Sequence, residues 1–140
     1  MANGQTQVGK VSSDEAMSGK VLIVEDQLDH RMILAVILSH LHYQVIEAAD
    51  GMEGIDKAVT EAPDLIIMDL GLPGIDGLET TVRLKQNPKT AHIPVIAHTI
   101  WKEVEYRQKA HQAGIVEYLT KPTPPATFKH VLEKLLPPGP

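Results

Sequence analysis

Two short apolar runs in this chain end directly in carboxylates. Leu65-Ile66-Ile67-Met68 closes on Asp69 and opens into Leu70-Gly71-Leu72-Pro73-Gly74, while Val21-Leu22-Ile23-Val24 closes on Glu25 and Asp26. Unbroken hydrophobic runs of this length read as strands buried on both faces, as in a parallel sheet covered by helices. Open sheets of that kind collect their ligands beyond the carboxyl ends of the strands, so the three acids are expected at one edge. Three carboxylates gathered there repel one another unless a cation joins them, which points to a hard-metal site.

The rest of the chain fits the same architecture. Strands are predicted at 20–24, 44–48, 64–68, 94–98 and 115–119, and helices at about 27–41, 51–61, 77–87, 101–113 and 124–136. Every strand-to-strand step is long enough for a helical crossover, which implies parallel strands with helices on both faces. The runs starting at Val21, Leu65 and Val95 are nearly continuous hydrophobes, whereas Gln44-Val45-Ile46-Glu47 and Ile115-Val116-Glu117-Tyr118 include polar residues, so the second and fifth strands belong at the edges. The resulting fold class is α/β, a doubly wound five-stranded parallel sheet in the flavodoxin-like order 2-1-3-4-5. Asp26 can N-cap the first helix, Gly114 can end the fourth, and Pro124-Pro125 can open the fifth. Residues 1–19, rich in Gly, Ser, Gln and Asn without periodicity, read as a flexible tail. The folded unit is 20–136, and Pro137-Pro138-Gly139-Pro140 reads as a frayed end.

Composition excludes several classes of function. At 140 residues and 43% hydrophobic content the chain makes one domain with a real core. A net charge of -5 without a compensating basic cluster argues against direct nucleic-acid binding. The absence of cysteine removes disulfides, thiolate zinc sites and thiol nucleophiles. No apolar stretch reaches the ~20 residues of a membrane span and no secretory signal is evident, so a cytoplasmic location is expected.

In a parallel sheet the ends of different strands share one edge. Glu25 and Asp26 after the first strand, Asp69 after the third, Thr99 after the fourth and Lys121 after the fifth therefore fall together. Phosphoryl transfer to a carboxylate needs this set: a site for Mg²⁺, a nucleophile, a hydroxyl donor and a fixed positive charge. Over roughly residues 20–136 the chain resembles the receiver domain of two-component response regulators. The resemblance rests on Val21 to Asp26, on Met68-Asp69-Leu70-Gly71-Leu72-Pro73-Gly74-Ile75-Asp76-Gly77, on Ile93-Pro94-Val95-Ile96-Ala97-His98-Thr99, and on Ala113-Gly114 through Lys121-Pro122.

The resemblance implies that Asp69 is the phosphoacceptor, Asp26 a Mg²⁺ ligand, Glu25 a ligand acting largely through water, and Gly71 a ligand through its carbonyl. It further implies that Thr99 and Lys121 bind phosphoryl oxygens, that Tyr118 is the switch aromatic, and that Lys121-Pro122 is cis. The donor would be a sensor histidine kinase or a histidine phosphotransfer protein. The chain would promote only its own phosphorylation and dephosphorylation. Its output would be an effector, or a second copy, bound at the face of the fourth helix, fifth strand and fifth helix.

Each residue also has a plainer reading: Asp26 as a helix cap, Asp69 as a turn residue, Thr99 as a strand-end hydroxyl, Lys121 as a solvated charge. A haloacid-dehalogenase-like phosphatase would need a second acid where Gly71 stands, and an FMN-binding protein would need a phosphate loop where Glu25-Asp26-Gln27-Leu28-Asp29 stands. A degenerate receiver that binds partners without phosphorylation is a further alternative, disfavoured by the intact set of five. Among seven histidines, His40 and His42 read as a surface pair, and His98, where the family usually has an aliphatic residue, reads as either a satisfied polar contact or a tuning group. Other departures from the common pattern are Gly71, Ile100, Trp101 and Thr123. Bulky Ile100 is expected to restrict the movement of Thr99 and Tyr118.

Overall fold

The computed structural model describes residues 18–136. Its elements are β1 (Lys20–Val24), α1 (Leu28–His40), β2 (Gln44–Ala48), α2 (Gly51–Glu61), β3 (Leu65–Met68), α3 (Gly77–Gln86), β4 (Val95–Thr99), α4 (Val104–Ala113), β5 (Glu117–Thr120) and α5 (Pro125–Leu135). The five strands form one parallel sheet in the order β2-β1-β3-β4-β5, with the polar strands at its edges. Residues 1–17 and 137–140, expected to be a flexible tail and a frayed end, lie outside the described residues. Ser18 and Gly19 do not behave as tail: Ser18 donates its N–H to the His42 carbonyl (2.6 Å), and the Gly19 carbonyl accepts from Gln44 N–H (2.8 Å).

Alternation along the central strands builds two cores. Leu22, Val24, Ile66, Met68, Val95 and Ala97 face the layer holding α2, α3 and α4, where Ala58, Leu84 and Ala110 complete the packing. Val21, Ile23, Leu65, Ile67 and Ile96 face α1 and α5, against Leu34, Leu38, Phe128 and Leu132. Because nearly every residue of the central strands is buried on one side or the other, the register of these strands is fixed, and so are the positions of their last residues.

Most element ends lie within a residue of expectation, and three places differ in substance. Asp26 is not the cap of α1: Gln27 occupies that position without a side-chain bond. The Gln27 N–H is instead taken by Glu25 Oε2 (3.1 Å), and Asp26 joins a cluster of acids. The fourth helix starts at Val104 rather than at 101, and the Trp101 carbonyl accepts the Tyr118 hydroxyl from the neighbouring strand. The last strand pairs over Glu117–Thr120, with Ile115 and Val116 as its lead-in. Gly114 does end α4, in the left-handed conformation at φ 108°, and Pro125 opens α5. Asp50 and Asp76 cap α2 and α3 through Glu53 N–H and Glu79 N–H, both at 2.8 Å.

One polar ring interrupts the α1/α5 core. His98 follows the strand alternation to that side and sets its edge against Phe128, with ring centroids 5.0 Å apart. Its Nε2 is buried and has no hydrogen-bond partner among the described residues, so the reading as a satisfied polar contact fails at that nitrogen. Burial first, and then the nearby Lys121 ammonium, push this imidazole down from 6.5 to about 4. The unfolded chain therefore takes up a proton as pH falls through 6.5 while the folded chain does not until about 4, and stability declines across that window. Between about pH 7.5 and 5 this one group should cost about 2 kcal/mol. His98→Leu should lose that much less stability over the same interval, measured by urea unfolding at both pH values.

The turn from β3 into α3 generates a second expectation. A Cβ on Gly77 would lie 2.2 Å from the Asp69 carbonyl oxygen and 2.7 Å from Leu70 Cα, both backbone atoms that cannot swing aside. Gly77→Ala should thus cost about 2 kcal/mol in denaturant unfolding and displace Asp69.

Candidate functional site

The sheet delivers its strand ends to one pocket. Asp69 follows β3 and is held by two main-chain bonds: its own N–H reaches the Val24 carbonyl (3.0 Å), and Oδ1 accepts the Gly71 N–H (3.1 Å). Glu25 follows β1, with its N–H on the Ala48 carbonyl (3.0 Å), and is almost fully buried. Lys121 follows β5 and is tied to β4 through its N–H on the Thr99 carbonyl (2.8 Å). Its Nζ donates to Glu25 Oε1 at 2.5 Å and lies 3.4 Å from Asp69 Oδ2. The Lys121-Pro122 bond is cis, as the resemblance implied.

Burial raises the Glu25 carboxyl above the usual range and the neighbouring Asp69 raises it further, while the hydrogen bonds from Lys121 and Gln27 act against both. Asp26 is exposed beside them. Carboxylate oxygens of Glu25, Asp26 and Asp69 lie within 4.8 Å of one another, close to the ~4.2 Å between opposite ligands of a Mg²⁺ ion. An all-oxygen, acid-rich donor set suits a hard divalent cation and not zinc or copper.

Thr99 ends β4 fully buried, and its Oγ1 accepts the Trp101 N–H (3.2 Å). That leaves the hydroxyl proton free to donate elsewhere. Tyr118 lies one strand over and sends its hydroxyl to the Trp101 carbonyl (2.7 Å), with the Arg107 guanidinium 4.6 Å above its ring. Burial raises the Tyr118 phenol. The Trp101 indole stacks on Tyr106 at 4.6 Å, and its edge lies 3.5 Å from where a Gly71 Cβ would stand. Ile100 does not fill this space: it is 64% exposed, on the wall of a cavity of about 390 Å³ that it shares with Ile33, Ile37, Pro122 and Phe128.

The positions singled out from sequence therefore meet: Glu25, Asp26, Asp69 and Lys121 in one cluster, with Thr99 joined to it through the Lys121 main chain and Tyr118 joined to Thr99 through Trp101. Two neighbours went unnoticed. His30 Nδ1 lies 3.1 Å from Lys121 Nζ, and Arg31 donates to the Glu25 carbonyl (2.8 Å) and to Glu47. Their position in the first turn of a helix that starts beside the acidic pair was the available signal. His40 and His42 remain a surface pair at the far end of α1.

Comparison with known proteins agrees with this geometry. The family model for the response regulator receiver domain matches residues 21–133. Sporulation initiation phosphotransferase F of Bacillus subtilis is 32% identical over 121 residues, covering 86% of this chain and 96% of its own. Chemotaxis protein CheY4 of Vibrio cholerae superposes with a TM-score of 0.81 at 30% identity, over 86% of this chain and all of that one. The receiver domain of a sensor histidine kinase from Pseudomonas aeruginosa, solved with a magnesium ion coordinated in its active-site cleft, gives a TM-score of 0.79 at 30% identity, over 84% and 97% of the two chains. Fold, site and relatives converge, and the chain belongs to the response regulator receiver domain family.

Proposed function

We propose that Asp69 is the phosphoacceptor of this receiver, taking its phosphoryl group from a sensor histidine kinase or a histidine phosphotransfer protein. The observation that carries the reading is the Lys121 ammonium held between Glu25 and Asp69, with Asp26 completing a three-acid donor set. Glu25, Asp26, Asp69 and the Gly71 carbonyl would hold Mg²⁺, which supplies neutralisation of phosphoryl oxygens.

The chain's own groups do the remainder. With Oδ1 fixed by the Gly71 N–H, Asp69 Oδ2 is the attacking atom: its lone pair forms the new P–O bond as the P–N bond to the donor imidazole breaks, and the leaving nitrogen keeps that electron pair. Lys121 then exchanges its bond to Glu25 for one to a phosphoryl oxygen. Thr99, already an acceptor from Trp101 N–H, gives its proton to another. A shift of Thr99 pulls on Trp101 and so on the Tyr118 hydroxyl, which carries the change to the face of α4, β5 and α5, where an effector protein would bind. On this reading residues 20–136 are the working unit, the expected location is the cytoplasm, and catalysis is limited to self-phosphorylation and later hydrolysis. Among the described residues no helix is long and apolar enough to cross a membrane.

Incubation with acetyl phosphate and Mg²⁺, followed by intact mass and site mapping, should give one phosphoryl adduct on Asp69 and none in Asp69→Asn. Labelling that persists in the variant at another residue refutes the assignment. Millimolar Mg²⁺ should also raise the melting temperature, by relieving repulsion among Glu25, Asp26 and Asp69, and Asp26→Asn should shrink the effect.

The lifetime of the phosphoryl group follows from what flanks it. Gly71 has no side chain to hold a water in line with phosphorus, and the Trp101 ring lies over that glycine. Both slow hydrolysis. Gly71→Asn with Trp101→Glu should speed loss of phosphate about tenfold, or about 1.4 kcal/mol of barrier, read by the decay of the phosphorylated mass.

A further inference from the structure

His30 lies in the first turn of α1, its side chain 44% exposed at the mouth of the pocket, and its Nδ1 stands 3.1 Å from Lys121 Nζ. Glu25 Oε1 is 3.9 Å from the same nitrogen, beyond hydrogen-bond reach. Among the described residues the ammonium is therefore the partner of Nδ1. An ammonium has protons to give and no lone pair to receive one, so Nδ1 is the acceptor and the imidazole carries its proton on Nε2.

The acceptors around Lys121 show what this contact adds. Its Nζ carries three protons and faces three acceptors: Glu25 Oε1 at 2.5 Å, His30 Nδ1 at 3.1 Å and Asp69 Oδ2 at 3.4 Å. With the Nζ–Cε bond and two N–H directions set, tetrahedral geometry aims the third proton at the Asp69 oxygen that attacks phosphorus. When Lys121 gives up Glu25 to take a phosphoryl oxygen, the neutral imidazole is the acceptor that keeps the ammonium in place. Without it, only a flexible stem would hold the charge. His30 can serve as an anchor because its backbone is itself fixed. Its neighbour Arg31 bonds the Glu25 carbonyl at 2.8 Å and Glu47 Oε1 at 3.0 Å, which ties the first turn of α1 to the pocket wall.

We propose that His30 is a positioning residue for phosphoryl transfer: as a neutral acceptor from Lys121, it holds the ammonium where its remaining proton meets the phosphoryl group arriving at Asp69. It acts through Lys121. The proposal rests on the reading of Asp69 as the phosphoacceptor.

The rate of Asp69 labelling by acetyl phosphate at millimolar Mg²⁺ tests it, since a small donor needs no docking surface. His30→Leu fills the space of the ring without offering an acceptor and should slow labelling about tenfold, the worth of one hydrogen bond to a charged group. His30→Asn sets its Oδ1 where Nδ1 stood and should restore the wild-type rate, whereas His30→Gln, with its amide one bond further out, should not. On a Lys121→Met background, adding His30→Leu should cost nothing more. Slowing that multiplies across the two substitutions means that His30 acts independently of Lys121 and overturns the proposal. If Lys121→Met does not fold, the amide pair decides alone: equal rates for His30→Asn and His30→Gln overturn it. A long-range proton–nitrogen correlation spectrum needs no phosphate. At about pH 9, above the ordinary histidine range, it should place the His30 proton on Nε2, and a proton on Nδ1 overturns the proposal. A wild type that takes no label on Asp69 refutes the phosphoacceptor reading and the proposal with it. A wild type that labels there, with His30→Leu labelling at the same rate, overturns this proposal alone.

Discussion

Everything at the carboxyl edge of the sheet depends on one ammonium. Lys121 stands between two buried carboxylates that would otherwise repel each other in a medium of low dielectric, and its attraction to both is what allows Glu25 and Asp69 to be packed side by side. The strand order supplies the three groups from separate strand ends. Glu25 comes from β1 and Asp69 from the adjacent β3, while Lys121 reaches them from β5 across the end of β4. The balance is deliberately incomplete: the ammonium is far closer to Glu25 than to Asp69, and burial still holds the Glu25 carboxyl above its ordinary range. A pocket with more negative charge than Lys121 can satisfy will accept a further cation, and a group bearing new negative charge on Asp69 must compete for the same lysine.

That competition has a short path out of the pocket. Lys121 N–H is bonded to the Thr99 carbonyl, Thr99 Oγ1 to the Trp101 N–H, and the Trp101 carbonyl to the Tyr118 hydroxyl, under Arg107 of α4. Each step is a hydrogen bond or a ring contact between neighbours, and none crosses a hydrophobic core, where close packing resists graded displacement. The segment between Thr99 and Val104 is irregular, and α4 begins only at Val104.

The fold was largely legible because its signals are local and redundant. Apolar runs gave the strands, their polar content separated edges from centre, and Gly114 and Pro125 marked helix ends by conformations that few other residues supply. The acids, Thr99 and Lys121 were legible because a parallel sheet converts position in a strand into position in space. What failed did so where tertiary contacts outbid local preference. Asp26 has the right chemistry for a cap, but it joins an acid cluster whose other members lie on different strands. The start of α4 was misplaced, and nothing near Trp101 in sequence announces its bond to Tyr118. His30 was missed since its partners come from β1 and from the loop after β5, and His98 could not be foreseen as unpartnered because an imidazole in a core is ordinarily bonded.

Two of the glycines that follow Asp69, Gly71 and Gly77, illustrate how a structural requirement is told from a chemical one. At Gly77 a Cβ would collide with the Asp69 main chain, so the fold itself penalises any side chain at that position. At Gly71 the nearest atom to a Cβ is the Trp101 ring at 3.5 Å, an ordinary contact, and the backbone is not in the left-handed region. A side chain could stand there. Its absence is therefore not demanded by packing, and the consequence is felt only at Asp69: the indole lies against a bare backbone, and residue 71 offers the carboxylate its main-chain N–H but no polar side-chain atom. In a pocket otherwise built to hold charge, a position free of any hydrogen-bonding side chain affects the approach of water more than it affects the fold. On the proposed reading that makes Gly71 and Trp101 a matched pair that sets how long the acyl phosphate persists, with stability left almost untouched.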